Sequence, residues 1–335
     1  MREIIYEARN LKKWFPVEKS FLRRTHEFVK AVDDVNLTVY KGETLGIVGE
    51  SGCGKSTLIR LMMHLLRPTE GTLRFEGNDV TSIRGDALRR FRSQIQIIFQ
   101  DPYAALNPRQ RAGEVLGEAL DLGNETFSSE GRSRKIKELL QMVGLPADGA
   151  DKFPHEFSGG QRQRLCIARA LAVNPSLIMC DECVSALDVS IQAQIINLLM
   201  RLQKDMGLTL IFVSHDLRVV RHMADHVAVM YLGKIVEYAE SETLFDHPLH
   251  PYTKALLSAI PLADPDAVRK PIVLKGDIPS PIHVPSGCHF HTRCWMAREE
   301  CSQIHCPLEN VGDGHFTACP YYQSMMQDMH SERRN

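Results

Sequence analysis

Gly49-Glu50-Ser51-Gly52-Cys53-Gly54-Lys55-Ser56-Thr57 follows an apolar run, Thr44-Leu45-Gly46-Ile47-Val48, and precedes a helical pattern from Leu58 to Leu66. A strand, a glycine-rich loop ending in Gly-Lys-Ser-Thr and a helix, in that order, are the context in which a phosphate-binding P-loop is credible. The glycines let backbone N–H groups turn inward onto phosphate oxygens, and the helix points its positive end at the same anion. Lys55 is then expected to reach the terminal phosphates, with the Ser56 hydroxyl on Mg²⁺. An ordinary glycine-rich turn is the weaker alternative. The chain is expected to bind a nucleotide.

Four further segments bear on what kind of nucleotide site this is. Ser176-Leu177-Ile178-Met179-Cys180-Asp181-Glu182 is an apolar strand ending in two carboxylates. Asp181 is placed to hold Mg²⁺ through its hydration shell, and Glu182 to polarise an attacking water. Taken alone, a buried strand with a solvated acidic end reads the same way. Phe157-Ser158-Gly159-Gly160-Gln161 opens a helical stretch from Arg162 to Val173. Its small residues and free amides make a second anion site, with Ser158 either capping the helix or bonding a phosphate. One nucleotide does not need two such sites from one chain, so the second is expected to close on ATP held by another subunit. Gln100 ends the apolar strand Ile95-Gln96-Ile97-Ile98-Phe99, and His215 ends Thr209-Leu210-Ile211-Phe212-Val213-Ser214. Polar residues just past the carboxyl ends of parallel strands lie where open α/β sheets bind ligands.

This set, in this order, resembles the ATP-binding subunits of ABC transporters. The matching pieces are Walker A at 49–57, Gln100 as Q-loop, Ser158 to Gln161 as signature and Asp181-Glu182 as Walker B. Ser185-Ala186-Leu187-Asp188 matches the D-loop and His215 the switch histidine. The resemblance implies an α/β fold: a P-loop NTPase core of ABC type with a helical subdomain and a small cysteine-rich C-terminal appendage. It also implies two subunits sandwiching two ATP molecules. Gly49, Glu50, Ser51, Gly52, Cys53, Gly54, Lys55, Ser56 and Thr57 would then hold the nucleotide, with Gln100 alongside. Mg²⁺ would sit among Ser56, Gln100 and Asp181. Glu182, His215 and Lys55 would carry catalysis. An aromatic that stacks on adenine is expected in Asn10-Leu11-Lys12-Lys13-Trp14-Phe15, with Phe15 favoured and Trp14 or a plain core aromatic as alternatives.

Several runs narrow the resemblance. Val29-Lys30-Ala31-Val32-Asp33-Asp34-Val35, Phe99-Gln100-Asp101-Pro102-Tyr103 with Leu106-Asn107-Pro108-Arg109, and His250-Pro251-Tyr252-Thr253-Lys254-Ala255-Leu256-Leu257 look like the dipeptide/oligopeptide permease ATPases. So does Gly276-Asp277-Ile278-Pro279-Ser280-Pro281, which leads into the tail. Members of that group power import of di- and oligopeptides, and close relatives carry nickel, glutathione or opine-type solutes. The resemblance to a second ATPase subunit implies a sister ATPase, with a heterodimer favoured. It also implies two transmembrane permease subunits, a periplasmic or extracellular solute-binding protein and a place on the cytoplasmic face of the membrane. One departure is plain: Cys183 stands where the family has proline. Proline would stiffen the turn after Glu182 by fixing φ, whereas cysteine leaves it freer and adds an oxidisable group.

Composition sets limits. Forty Lys and Arg against 41 Asp and Glu leave the chain nearly neutral, so no basic surface on the scale of nucleic-acid binding is visible. No apolar run approaches bilayer length and no signal-peptide pattern opens the chain, so membrane association is expected to come through partners. The layout expected is an ABC ATPase domain over 1–260, its helical subdomain at about 104–160, and an extension over 261–335. Positions 101–108 are the expected groove for the membrane subunits. A basic insert falls near 23–26, a linker at 262–270, and disorder is expected over 329–335.

Five of the nine cysteines fall in the tail: Cys288, Cys294, Cys301, Cys306 and Cys319. A cytosolic chain is not expected to keep these as disulfides, which favours a metal site. By resemblance to the peptide-permease tail, Cys288, Cys294, Cys301 and Cys319 are expected to hold a [4Fe–4S] cluster, with Cys306 a bystander. Zn²⁺ with His291 and Cys306 as alternative ligands stays open, as do free thiols. Cys53, Cys166 and Cys180 are expected to behave as small apolar residues. Two rivals to an importer are a soluble ABC ATPase of translation or DNA repair and a regulatory ATPase sensing oxidation or iron. The first usually has two cassettes or a long coiled coil; here there is one P-loop, one signature and no sustained heptads.

Overall fold

The computed structural model describes residues 2–17, 27–123, 126–260 and 271–325. The basic insert, the linker at 262–270 and the last residues from 329 lie outside the described residues. The chain divides into two compact units, one of 1–40, 45–82 and 214–335, the other of 41–44 and 83–213.

The first unit carries an antiparallel sheet in the order Phe28–Tyr40, Ile4–Pro16, Glu70–Phe75, Asn78–Asp79. Val35, Leu37 and Val39 alternate inward along one strand, as the two-residue period of a half-buried strand demands, and all are buried. Tyr6 is buried with them and donates its hydroxyl to the carbonyl of Met62 at 2.8 Å. Burial pushes that phenol up, so it stays a donor.

A second sheet in the same unit runs Glu309–Gly312, His315–Thr317, Lys234–Glu240, His226–Tyr231 and Thr44–Val48. Leu45 to Val48 lie parallel to His226 to Val229, while the other pairs are antiparallel. Every residue of Thr44–Val48 is buried, which explains its unbroken apolar reading. Gly46 is required there: a Cβ would stand 2.6 Å from Val220 Cγ1 on the helix Leu217–Met223. The described part of the cysteine-rich stretch extends this sheet, with Glu237 opposite Thr317. Glu237 is fully buried. It accepts from the amides of Leu249 at 2.6 Å and His250 at 3.0 Å, and it meets His315 Nε2 at 2.7 Å.

The second unit alternates strand and helix. Thr209–Val213, Leu177–Asp181 and Ile95–Ile98 lie side by side and parallel. Between Ile95–Ile98 and Leu177–Asp181 the chain makes the helices Pro102–Ala105, Ala112–Asp121, Ser129–Met142 and Gly159–Leu171. Val189–Met206 then returns it to Thr209–Val213, since parallel neighbours need a crossover connection. Among the described residues, no helix is long and apolar enough to cross a membrane.

Candidate functional site

In the first unit the P-loop leaves the carboxyl end of Thr44–Val48 and enters the helix Lys55–Met62. Two glycines hold conformations that side chains cannot share. Gly49 has φ 151°, and a Cβ on it would be 2.2 Å from the Met230 carbonyl oxygen. Gly54 has φ 111°, and a Cβ on it would be 2.1 Å from Ala31 O. The loop is thus pressed against the backbone on its inner side, while Ser51 and Gly52 are exposed. No side chain caps the helix at Gly54, so its first-turn amides are left for an anion.

Lys55 is buried to 5% exposure and donates to the carbonyls of Gly49 at 2.8 Å and Glu50 at 3.1 Å. The ammonium therefore lies along the inner side of the loop. Cys53 is buried beside it, and burial raises its thiol above the ordinary range, as expected of a small core residue. Glu50 is tied twice more. Its amide donates to Tyr252 Oη at 2.8 Å, and its carboxylate takes Arg293 in a fork, Nη1 to Oε2 at 2.7 Å and Nη2 to Oε1 at 3.1 Å.

His215 belongs to the same unit. The amide of Ser214 donates to Ile47 O at 3.3 Å, which sets exposed His215 by the strand that feeds the P-loop. Asp216 then caps the helix Leu217–Met223, its carboxyl held below the usual range by the Arg218 guanidinium bonded to it. Phe15 and Trp14 are both half-buried. Lys13 Nζ lies 5.1 Å from the Phe15 ring centre, Lys30 Nζ 5.1 Å from that of Trp14, and the indole N–H of Trp14 donates to Asp33 at 3.1 Å.

In the second unit the strand Leu177–Asp181 delivers Asp181 at its last position, opposite Val213. Glu182 turns away at φ 51°, its amide donating to Val213 O at 3.1 Å. A non-glycine residue in the left-handed region is a strained, defined position of the kind found at reacting sites. The turn is closed by Ser185, whose amide and hydroxyl both donate to Glu182 O, at 3.1 and 2.9 Å. Gln100 Nε2 reaches the same Ser185 hydroxyl at 3.2 Å. Cys183 is buried, and a thiol hydrogen bond to it, with burial, drives Cys180 well above the usual range.

Ser158 caps the helix Gly159–Leu171: Gln161 N donates to its Oγ at 3.3 Å, and Ser158 N donates to Gln161 Oε1 at 2.9 Å. Both side chains are exposed. Gly160 is buried, and a Cβ on it would be 2.5 Å from Ile191 Cγ2. The cap alternative is thus realised in this chain, with the helix end outward. Near Gln100, Tyr103 is 64% exposed under the Arg162 guanidinium, 3.8 Å from its ring centre, and Phe99 is exposed at its side of the loop.

Cys288, Cys294, Cys301 and Cys319 line one small cavity with His250, Phe290 and Met296. Cys306, read as a bystander, is hydrogen-bonded to Cys288; that bond pushes the Cys288 thiol below its ordinary range and the Cys306 thiol above it. Among the described residues, no group of three or more His, Cys, Asp or Glu side chains is gathered to hold a single ion. Tyr252 and Arg293 are the site residues that sequence reasoning missed. They contact Glu50 across 202 and 243 positions of chain, and no local pattern carries such a contact.

The family model of ABC transporters matches residues 32–185, and that of the oligopeptide/dipeptide transporter C-terminal region matches 236–301. The chain is 50% identical over 324 residues to the oligopeptide transport ATP-binding protein AppF of Bacillus subtilis, covering 96% of this chain and 98% of that one. It is 47% identical over 315 residues to the dipeptide transport ATP-binding protein DppF of Haemophilus influenzae, covering 94% and 96%. The dimeric bacterial ABC transporter cassette MJ0796 superposes with a TM-score of 0.63 at 30% identity, over 71% of this chain and 99% of that one. The same cassette, in a dimeric post-hydrolysis state bound to ADP and Pi, gives a TM-score of 0.62. The chain belongs to the ATP-binding proteins of oligopeptide and dipeptide ABC transport systems.

Proposed function

We propose that this chain is the ATP-hydrolysing subunit that powers uptake of di- or oligopeptides through a membrane importer. The observation that carries this reading is likeness to peptide-transport ATPases along nearly the whole chain, C-terminal region included. The P-loop supports it locally: inward-facing backbone held by two steric glycines, an uncapped helix start and a buried ammonium fit a triphosphate.

In this reading the loop 49–57 and Lys55 bind and neutralise phosphate, and Phe15 stacks on the base. Mg²⁺, when bound, would be held by Ser56, Gln100 and Asp181 and would spread the charge that develops on the phosphoryl oxygens. Glu182 takes the proton of the attacking water, and His215 holds the γ-phosphate side. Ser158 to Gln161 close on the nucleotide of a sister subunit, for which the exposed Ser158 and Gln161 are suited. Gln100, through Ser185, joins the loop that receives the membrane subunits to the turn of Glu182. Exposed Phe99 and Tyr103 would form part of that receiving surface.

The partners in this assembly are a sister ATPase in a heterodimer, two transmembrane permease subunits and an external solute-binding protein, with this chain on the cytoplasmic face. The tail, taken as an extension over 261–335, would hold a [4Fe–4S] cluster through Cys288, Cys294, Cys301 and Cys319. That these four line one cavity supports it. Gentle-detergent co-purification from the native membrane, with mass spectrometry, tests the whole reading. Two polytopic proteins, a sister ATPase and a binding protein loaded with peptide are expected. A binding protein loaded with nickel, glutathione or an opine would change the cargo, and ribosomal or repair partners alone would sink the transport reading.

A further inference from the structure

The fork between Arg293 and Glu50 joins the cysteine-rich tail to the P-loop inside one unit. Glu50 is the second residue of the loop, and every polar group on it is engaged. Its amide is taken by Tyr252 Oη, its carbonyl by Lys55 Nζ and its carboxylate by both terminal nitrogens of Arg293. Arg293 is 9% exposed and the Glu50 side chain 25%. Tyr231 Oη lies 3.5 Å from Nη1. Tyr231, Tyr252 and Phe290 pack ring to ring around the pair, with centres 4.7 to 5.4 Å apart. The backbone that carries Arg293 is held in a tight turn, where the Arg293 amide donates to Phe290 O at 3.0 Å and His291 N to Cys288 O at 3.1 Å.

A carboxylate on a loop that must hold a triphosphate is repulsive unless it is neutralised, the more so in a partly dry site. Only a fixed, always charged, forked donor both cancels that charge and holds the loop turn in one geometry. We infer that Arg293 is a positioning residue for ATP binding: it neutralises Glu50 and holds the P-loop through it, so that the tail's fold sets the affinity of the site. This inference rests on the ATPase reading and is independent of the cargo.

The test measures MgATP affinity of the full-length chain by equilibrium dialysis, for wild type, Arg293→Gln, Arg293→Lys and the double variant Arg293→Gln/Glu50→Gln, with thermal melting of each. Arg293→Gln is expected to weaken binding about fivefold or more, within the usual range of site-to-site coupling. Arg293→Lys keeps the charge but not the fork and should recover part of that loss, and the double variant should also recover part of it, because the uncompensated carboxylate is gone. In the assembled complex the loss should fall on KM, with kcat nearly unchanged. Unchanged affinity of a folded Arg293→Gln chain would overturn the inference. So would a loss that neither Arg293→Lys nor the double variant relieves, since that marks a merely structural role. If wild type itself did not bind MgATP, the ATPase reading would fall instead.

Discussion

The side-chain amide of Gln100 donates to the hydroxyl of Ser185 at 3.2 Å, and that hydroxyl donates on to the carbonyl of Glu182 at 2.9 Å. A residue at the end of one strand is thus joined to the turn that aims a carboxylate at the end of the next, within one unit. Removing the middle of that chain should disturb aim more than binding. Ser185→Ala is expected to lower kcat about fivefold, the worth of one ordinary hydrogen bond, while the Kd for MgATP stays within about twofold. An unchanged kcat would mean that the link has no part in turnover.

Glu182 sits at φ 51° on a turn closed by Ser185, a strained position that the surrounding bonds hold. Glu182→Gln keeps the shape and the turn but cannot take a proton. Steady-state hydrolysis should fall by about a hundredfold or more, as for loss of a general base, while nucleotide binding persists and a closed, ATP-bound complex accumulates. Turnover at the wild-type rate would remove Glu182 from the role proposed for it.

Gly54 is the sharpest steric point of the loop. A methyl group there meets Ala31 O at 2.1 Å, and φ 111° is strained for any side chain. Gly54→Ala should destabilise the chain by about 1–3 kcal/mol and abolish measurable ATP binding, read by thermal melting and dialysis. Gly77, at φ 76° with open space around it, serves as the control. Gly77→Ala should lose some stability and leave nucleotide affinity alone.

Glu237 is fully buried and holds two backbone amides together with His315 of the tail strand. Its removal strands those donors without water. Glu237→Ala should cost about 3 kcal/mol or more, and protease should then release the segment after 270 first. Equal protease resistance in mutant and wild type would show that the tail is held by other means.

Chain prepared without oxygen should contain about four iron and four sulfide per chain if the tail thiolates hold a [4Fe–4S] cluster. Cys288→Ala or Cys319→Ala should lose both together. Zinc in place of iron, or neither, would set the cluster aside.

The P-loop, the carboxylate pair, the signature and the strand–helix alternation were legible in the sequence because each is local. A loop with glycines at fixed spacing, a strand that ends in Asp181-Glu182 and a serine that caps its own helix carry their physics within a few residues. The resemblance to a family added roles that the spacing alone left open between function and ordinary capping. What only the tertiary structure decided is the company those residues keep. Glu50 read as one more loop position, yet it is the point where Tyr252 and Arg293 arrive from 202 and 243 residues away. The tail's two short strands gave no pattern that told which sheet they would join, and pairing with Lys234–Glu240 depends on a buried carboxylate from that strand. Likewise the hydrogen-bonded thiol pairs Cys180 with Cys183 and Cys288 with Cys306 arise from packing. Local periodicity encodes which face is buried; contacts between distant segments depend on how those faces meet, and that is settled only when the whole chain has packed.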